Sequence, residues 1–228
     1  MRKFFIAFAF LFPAVCAYSQ RLSQVTFSGA ANLSYISFLT DQGVFIRITE
    51  EGKVIEWGIE MLSQRYNYYD PKLQPFMGRV EYYGPESDSV FRGKVKSIGT
   101  CLLTYYGSYE TDTKPGKLRS VGTVFFDYYT NFDNTALKGK LRFAGNLILE
   151  YYSSFDDESF RGKLKSIGNT SITYYSVFDD KFNKGKIKGI GSVAFTWYSS
   201  FDRSELRGAL KSGSYRQYIN GVTYILGQ

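Results

Sequence analysis

Two kinds of side chain return every 23 residues along this chain. Lys96, Arg119, Arg142, Lys165 and Lys188 form one series, and Tyr106, Tyr129, Tyr152, Tyr175 and Tyr198 form another. Cations interleaved with phenols suit recognition better than bond making. Ammonium and guanidinium groups attract phosphate, sulfate or carboxylate, and aromatic rings hold cations over their faces. Such a surface would fit an anionic polysaccharide, a lipid head group or an acidic protein. The alternative is a solvated face whose cations balance Asp and Glu and discourage edge-to-edge aggregation.

A reacting centre is harder to assemble. The chain has no histidine, the commonest general base. Its serines lie in no G-x-S-x-G or S-x-x-K arrangement. Cys101 falls where other repeats carry Val124, Leu147 and Val193, which reads as strand packing. Asp156-Asp157 and Asp179-Asp180 recur with the repeat, as turn residues would. A calcium loop needs denser ligands, and a glycosidase needs two unique carboxylates. The expectation is a protein that is not an enzyme, with no metal and no cofactor.

The elements that position these side chains follow from the period. Gly93, Gly116, Gly139, Gly162, Gly185 and Gly208 are evenly spaced, each opening a segment such as GKLKSIGNTSITYYSVFDDKFNK. A fixed period of this size marks an array of units too small to bury an apolar face alone. With the glycine as position 0, position 2 is Val95, Leu118, Leu141, Leu164 and Ile187; position 10 is Leu103, Phe126, Leu149, Ile172 and Phe195. Position 12 is Tyr105, Tyr128, Tyr151, Tyr174 and Trp197; position 16 is Tyr109, Phe132, Phe155, Phe178 and Phe201. These even positions lie on one face of extended chain, with the polar odd positions on the other.

Each unit therefore reads as two antiparallel strands. A three-residue turn at Ile167-Gly168-Asn169 would set Leu164 opposite Ile172, Lys117 opposite Asp127 and Lys140 opposite Glu150. Between units, Tyr151 would meet Ser166 and Phe155 would cover Gly162. Asp156, Asp179 and Asp202 would pair with Arg161, Lys184 and Arg207.

The ends differ from the array. Arg2 and Lys3 precede an apolar run over 4–15, with Ala17 and Ser19 after it, the layout of a secretory signal peptide cleaved after Ala17 or Ser19. Without that leader, Cys101 is the sole cysteine and no intrachain disulfide can form. The formal charge of +7 becomes +5, with 26 cations against 21 anions. Gly52-Lys53-Val54-Ile55-Glu56-Trp57-Gly58 and Gly78-Arg79-Val80-Glu81-Tyr82-Tyr83-Gly84 both match the opening of a repeat. The expected organisation is a signal peptide over 1–19, an N-terminal β cap with degenerate repeats over 20–92, tandem hairpins over 93–212 and a C-terminal cap over 213–228, in one folded unit. No segment after the leader has the length and apolarity of a transmembrane helix.

The Tyr-Tyr step, the turn and Gly-Lys-Leu-Lys-Ser-Ile-Gly resemble the bacterial variant of MORN-type repeats, well over 93–212 and loosely over 52–92. That resemblance implies an extended single sheet used for scaffolding or binding, with membrane or phospholipid contact in some members. Choline-binding repeats are also similar, but they need tryptophan-lined cages, and this chain has only Trp57 and Trp197. The fold expected is all-β, an antiparallel meander of 23-residue two-strand repeats forming an elongated, twisted sheet. The function expected is an exported structural or interaction module of the periplasm, cell surface or exterior. Export makes nucleic acid an unsuitable partner. The alternatives are an outer-membrane β-barrel with the apolar face toward lipid, and an enzyme of a type that no motif here identifies.

Overall fold

The computed structural model describes residues 20–60 and 72–227, so the signal-peptide reading lies outside the described residues. Every regular element in it is a β-strand. Five consecutive hairpins carry the repeats: β7 (Val95–Ile98) and β8 (Cys101–Tyr105), β9 (Leu118–Val121) and β10 (Val124–Tyr128), β11 (Leu141–Ala144) and β12 (Leu147–Tyr151), β13 (Leu164–Ile167) and β14 (Thr170–Tyr174), β15 (Ile187–Ile190) and β16 (Val193–Ala194). With β6 (Val80–Tyr82) they form an open eleven-stranded antiparallel sheet in strict sequence order from β6 to β16. The short pair β17 (Thr196–Trp197) and β18 (Leu210–Ser212) follows.

The chain's two ends build a second sheet. It comprises β1 (Arg21–Ser28), β2 (Asn32–Leu39), β3 (Phe45–Ile48), β4 (Val54–Glu60), β5 (Leu73–Gln74), β19 (Arg216–Ile219) and β20 (Val222–Leu226). The order is β19-β20-β1-β2-β3-β4-β5, and β20 runs parallel to β1, outside the antiparallel meander of repeats. Apolar residues of both sheets belong to one buried cluster, including Phe27, Phe38 and Ile46 from the terminal sheet and Leu103, Phe126 and Leu141 from the repeats. Phe38 meets Phe126 edge to face at 5.0 Å between ring centroids. Between the sheets, Leu118, Leu141 and Ile187 donate N–H groups to the carbonyls of Gly52, Glu50 and Ala30. Lys140 reaches the Glu50 carboxylate at 3.0 Å.

Register departs from the sequence expectation in a uniform way. The hairpin loop has two residues, not three: Ile98 pairs with Cys101 across Gly99-Thr100, and Gly99 has φ of 58°. A glycine first in a two-residue loop matches the twist of antiparallel strands. Between repeats, Thr104 pairs with Ser120 and Tyr105 with Leu118, so Arg119 bulges out of the ladder. The same skip passes over Arg142, Lys165 and Lys188. Hence Glu150 faces Ser166, one step from the expected pairing, and past the bulge Tyr151 faces Leu164, two residues from it. The bulge turns positions 2 and 5 inward together, as the burial of Leu164 and Ile167 shows. The apolar residue at position 5 (Ile98, Val121, Ala144, Ile167, Ile190) was the sequence signal for it.

Gly78 to Gly84 is also placed differently. Val80 pairs with Ile98 as Leu103 pairs with Val121, so β6 is the second strand of a unit and Tyr82-Tyr83 is its Tyr-Tyr step. Gly52 does behave as a repeat glycine, with φ of 77° and a bulge between β3 and β4. Replacing Phe126 by Ala removes the ring joining the two sheets. It should cost about 3–5 kcal/mol and lower the melting temperature by about 10 °C, measured by circular dichroism. A shift under about 2 °C would mean that the sheets do not share a core.

Candidate functional site

The bulge sets the geometry of the basic face. A bulged residue leaves the ladder and its side chain is re-aimed. Lys96, Arg119, Arg142, Lys165 and Lys188 are all exposed there. Arg119 lies over the ring of Tyr106, Arg142 over Tyr129, Lys165 over Tyr152 and Lys188 over Tyr175, at 5.4–5.8 Å from ring centroids. Lys211 completes the series over Tyr198 at 5.3 Å. The structure thus brings together the cations and phenols singled out by spacing. Lys96 stands at the equivalent bulge beside β6.

The tyrosines have a second occupation. Tyr106, Tyr129, Tyr152 and Tyr175 donate their hydroxyls to the carbonyls of Phe126, Leu149, Ile172 and Phe195 in the following repeat, at 2.7–3.0 Å. Each also meets a position-12 ring edge to face where that ring is Tyr128, Tyr151 or Tyr174. The phenol hydrogens are committed to the fold, so these rings position cations and the cations are what a ligand would meet. The neighbouring position-12 residues bond within their own repeat: Tyr128 and Tyr174 donate to Leu118 and Leu164 carbonyls, and Trp197 Nε1 donates to Ile187 in the same way. The Tyr-Tyr step therefore fastens one repeat to itself and to the next.

Position-1 lysines do not make the expected ion pairs. Lys94, Lys117, Lys140, Lys163 and Lys186 each donate to the carbonyl of the next repeat's glycine, 22 residues on. Each ammonium also lies 4.7–5.3 Å from the centroid of its own position-12 ring. Glycine is required at the receiving position: Gly139 has φ of 77°, and a Cβ there would come 3.0 Å from Lys117 Nζ. Burial lowers the pKa of Lys94, Lys117, Lys163 and Lys186. Burial also raises the Glu50 carboxyl, against the pull of Lys140. Lys53, Lys94 and Lys117 line a cavity of about 610 Å³ with Glu51, Trp57, Tyr82 and Tyr105.

The long loops, positions 13 to 22, hold what sequence reasoning misplaced. Tyr109, Phe132, Phe155, Phe178 and Phe201 were expected over the glycines, but they are 92–98 % exposed. The strand ends at position 12, so alternation stops there and position 16 no longer has a face. Asp156 and Asp202 accept from Ser153 and Ser199, and Asp202 pairs with Lys211 at 3.1 Å instead of with Arg207. Arg161 and Arg207 donate to the carbonyls of Asp156 and Asp202, and Lys184 pairs with Glu158 at 2.8 Å. The spacing S/T-x-x-D, which marks a side chain closing its own turn, was the available signal.

Catalytic groups do not converge among the described residues. Cys101 is buried, and burial pushes its thiol up to about 11, so it stays protonated at neutral pH. No cluster of metal-ligating side chains occurs among the described residues. Comparison with family models, curated proteins and solved structures finds no match, so the MORN-type resemblance rests on the repeat's own residues.

Alkaline pH tests the fastening. Burial raises the phenol pKa of Tyr106, Tyr129, Tyr152 and Tyr175. A raised folded pKa gives stability that is full below about 10 and lost as pH climbs through the folded values. The lowered lysines act oppositely, but only up to about 10.4. The melting temperature should therefore fall above about pH 10.5, with phenolate absorbance appearing together with unfolding. Phenolate appearing well before unfolding would show the hydroxyls to be free.

Proposed function

We infer that this chain is an exported, non-enzymatic β-repeat protein that acts as a structural and interaction module. Its basic face, built on Arg119, Arg142, Lys165 and Lys188 over tyrosine rings, would engage anionic envelope components: a polysaccharide, a lipid head group or an acidic protein. The observation carrying this is the bulge repeated in each unit, which sets a cation outside the ladder at a fixed interval. Two strands per repeat at about 4.8 Å place successive cations about 9.5 Å apart. Cations fixed at that interval favour a polyanion over a compact ligand.

The reading as a β-barrel has less support. The repeat strands have two to five residues and the sheet is open, whereas a membrane-spanning strand needs about 9–11 residues. Among the described residues no helix is long and apolar enough to cross a membrane.

The test is charge reversal at Arg119→Glu, Arg142→Glu and Lys165→Glu together. Binding to a sulfated polysaccharide or to phosphatidylglycerol vesicles should fall at least about tenfold and weaken with salt. The melting temperature should fall by no more than about 3–12 °C, because these side chains are exposed and the three surface cation–π contacts contribute only about 0.5–1 kcal/mol each. Equal binding by the reversed and native proteins would remove the basic face as the ligand surface.

A further inference from the structure

The loop edge carries a second surface, which adjoins the basic face where Lys211 meets Asp202 at 3.1 Å. Five aromatic rings, Tyr109, Phe132, Phe155, Phe178 and Phe201, stand almost wholly in solvent at the same position of successive repeats. Exposed rings recurring in this way lie outside the apolar core and contribute little to stability.

Their backbone is nevertheless fixed. In each of the last four loops the N–H and hydroxyl of Thr130, Ser153, Ser176 or Ser199 bond the aspartate three residues on. The same hydroxyl accepts the N–H of Phe132, Phe155, Phe178 or Phe201. Neighbouring loops are stitched together as well. Asn134 accepts from Ser154 N–H, Asp157 from Val177 N–H and Asp180 from Ser200 N–H. The rings therefore sit at the apices of tied loops, one per repeat, about 9.5 Å apart by strand spacing.

The surroundings decide what could lie on them. An aspartate follows each phenylalanine, and Thr135, Glu158, Lys181 and Ser204 are exposed nearby. Over the five loops there are ten carboxylates and seven cations, a net charge of −3. Anionic polymers and anionic lipid surfaces are repelled by that balance. Insertion into a bilayer would drag the aspartates out of water. Rings separated by polar groups do not form the contiguous apolar patch of a protein interface.

The geometry points to a neutral β-1,4-linked polysaccharide lying along this edge, with every second sugar stacked on one ring. In such a chain alternate sugars present the same face, and its two-sugar repeat is close to the ring spacing. The apolar C–H face of each stacked sugar covers a phenyl ring. Hydroxyls of the sugars between would reach the carboxylates and hydroxyls flanking the rings. Pre-tied loops lose little freedom on binding.

The experiment is a pull-down of the whole protein with cellulose and with chitin, alongside vesicles of phosphatidylcholine and of phosphatidylglycerol. We expect retention on at least one of the two polysaccharides, insensitive to salt. It should weaken about tenfold or more in the triple variant Phe132→Ser, Phe155→Ser, Phe178→Ser, because several rings act together. The triple variant should melt as the native protein does, and Phe132→Tyr, Phe155→Tyr, Phe178→Tyr should retain binding. Reversing Arg119, Arg142 and Lys165 should leave polysaccharide retention intact, which separates this surface from the basic face. Absence of retention on both polysaccharides would overturn the proposal. So would equal retention by the serine variant, or ring-dependent binding to vesicles or self-association in place of polysaccharide.

Discussion

A repeat of two short strands has one apolar side and nothing of its own to put against it. That constraint governs the molecule. Leu118, Leu141, Leu164 and Ile187 are fully buried because the chain's two ends fold over them. The parallel pairing of β20 with β1 makes this possible, since it joins residues about 200 apart into one covering sheet. Burying both inner faces in a common core is the usual solution for sheets with a single apolar side. The Lys140–Glu50 pair and the Leu141 N–H bond to Glu50 lie where the covering sheet meets the array.

Within the array, cohesion passes from unit to unit through side chains that reach backbone carbonyls. Lysine at position 1 spans 22 residues to a glycine carbonyl, and tyrosine at position 13 spans 20 to a strand carbonyl. In the loops, an Asx side chain reaches the N–H of the next loop, as Asn134 does to Ser154 and Asp157 to Val177. These three links take up most of the polar side chains that a sequence reader would assign to binding. What remains free for a partner is narrower than composition suggests: the bulged cations on one surface, and the loop-apex rings on another.

The two surfaces differ in electrostatic character for a local reason. On the strands, position 3 is a bulge, and a long cation there stays exposed with its charged head over a tyrosine ring. At the loops, serine or threonine hydrogen bonds favour the ionised form of Asp133, Asp156 and Asp202 and lower their pKa. The basic and acidic-aromatic edges adjoin, and Lys211 meets Asp202 at 3.1 Å where they do.

Much of this was legible in the sequence. The period, the all-β class, the strand pairs, and the partnership of Arg142 with Tyr129 or Lys165 with Tyr152 follow from alternation and spacing, which act locally. The loop length at Gly99 and the bulge at Arg119 were not read, because a one-residue shift in a turn is compensated by one in the ladder. Pairings such as Lys117 with Asp127 failed for that reason. The fate of Phe155 depended on where hydrogen bonding stops along the strand, and the cover over Leu141 depended on residues far away in the chain. Local rules set the unit, its period and its chemistry. Tertiary structure alone decided which apolar side chains were enclosed, because only packing against a distant sheet can take a ring or a leucine out of water.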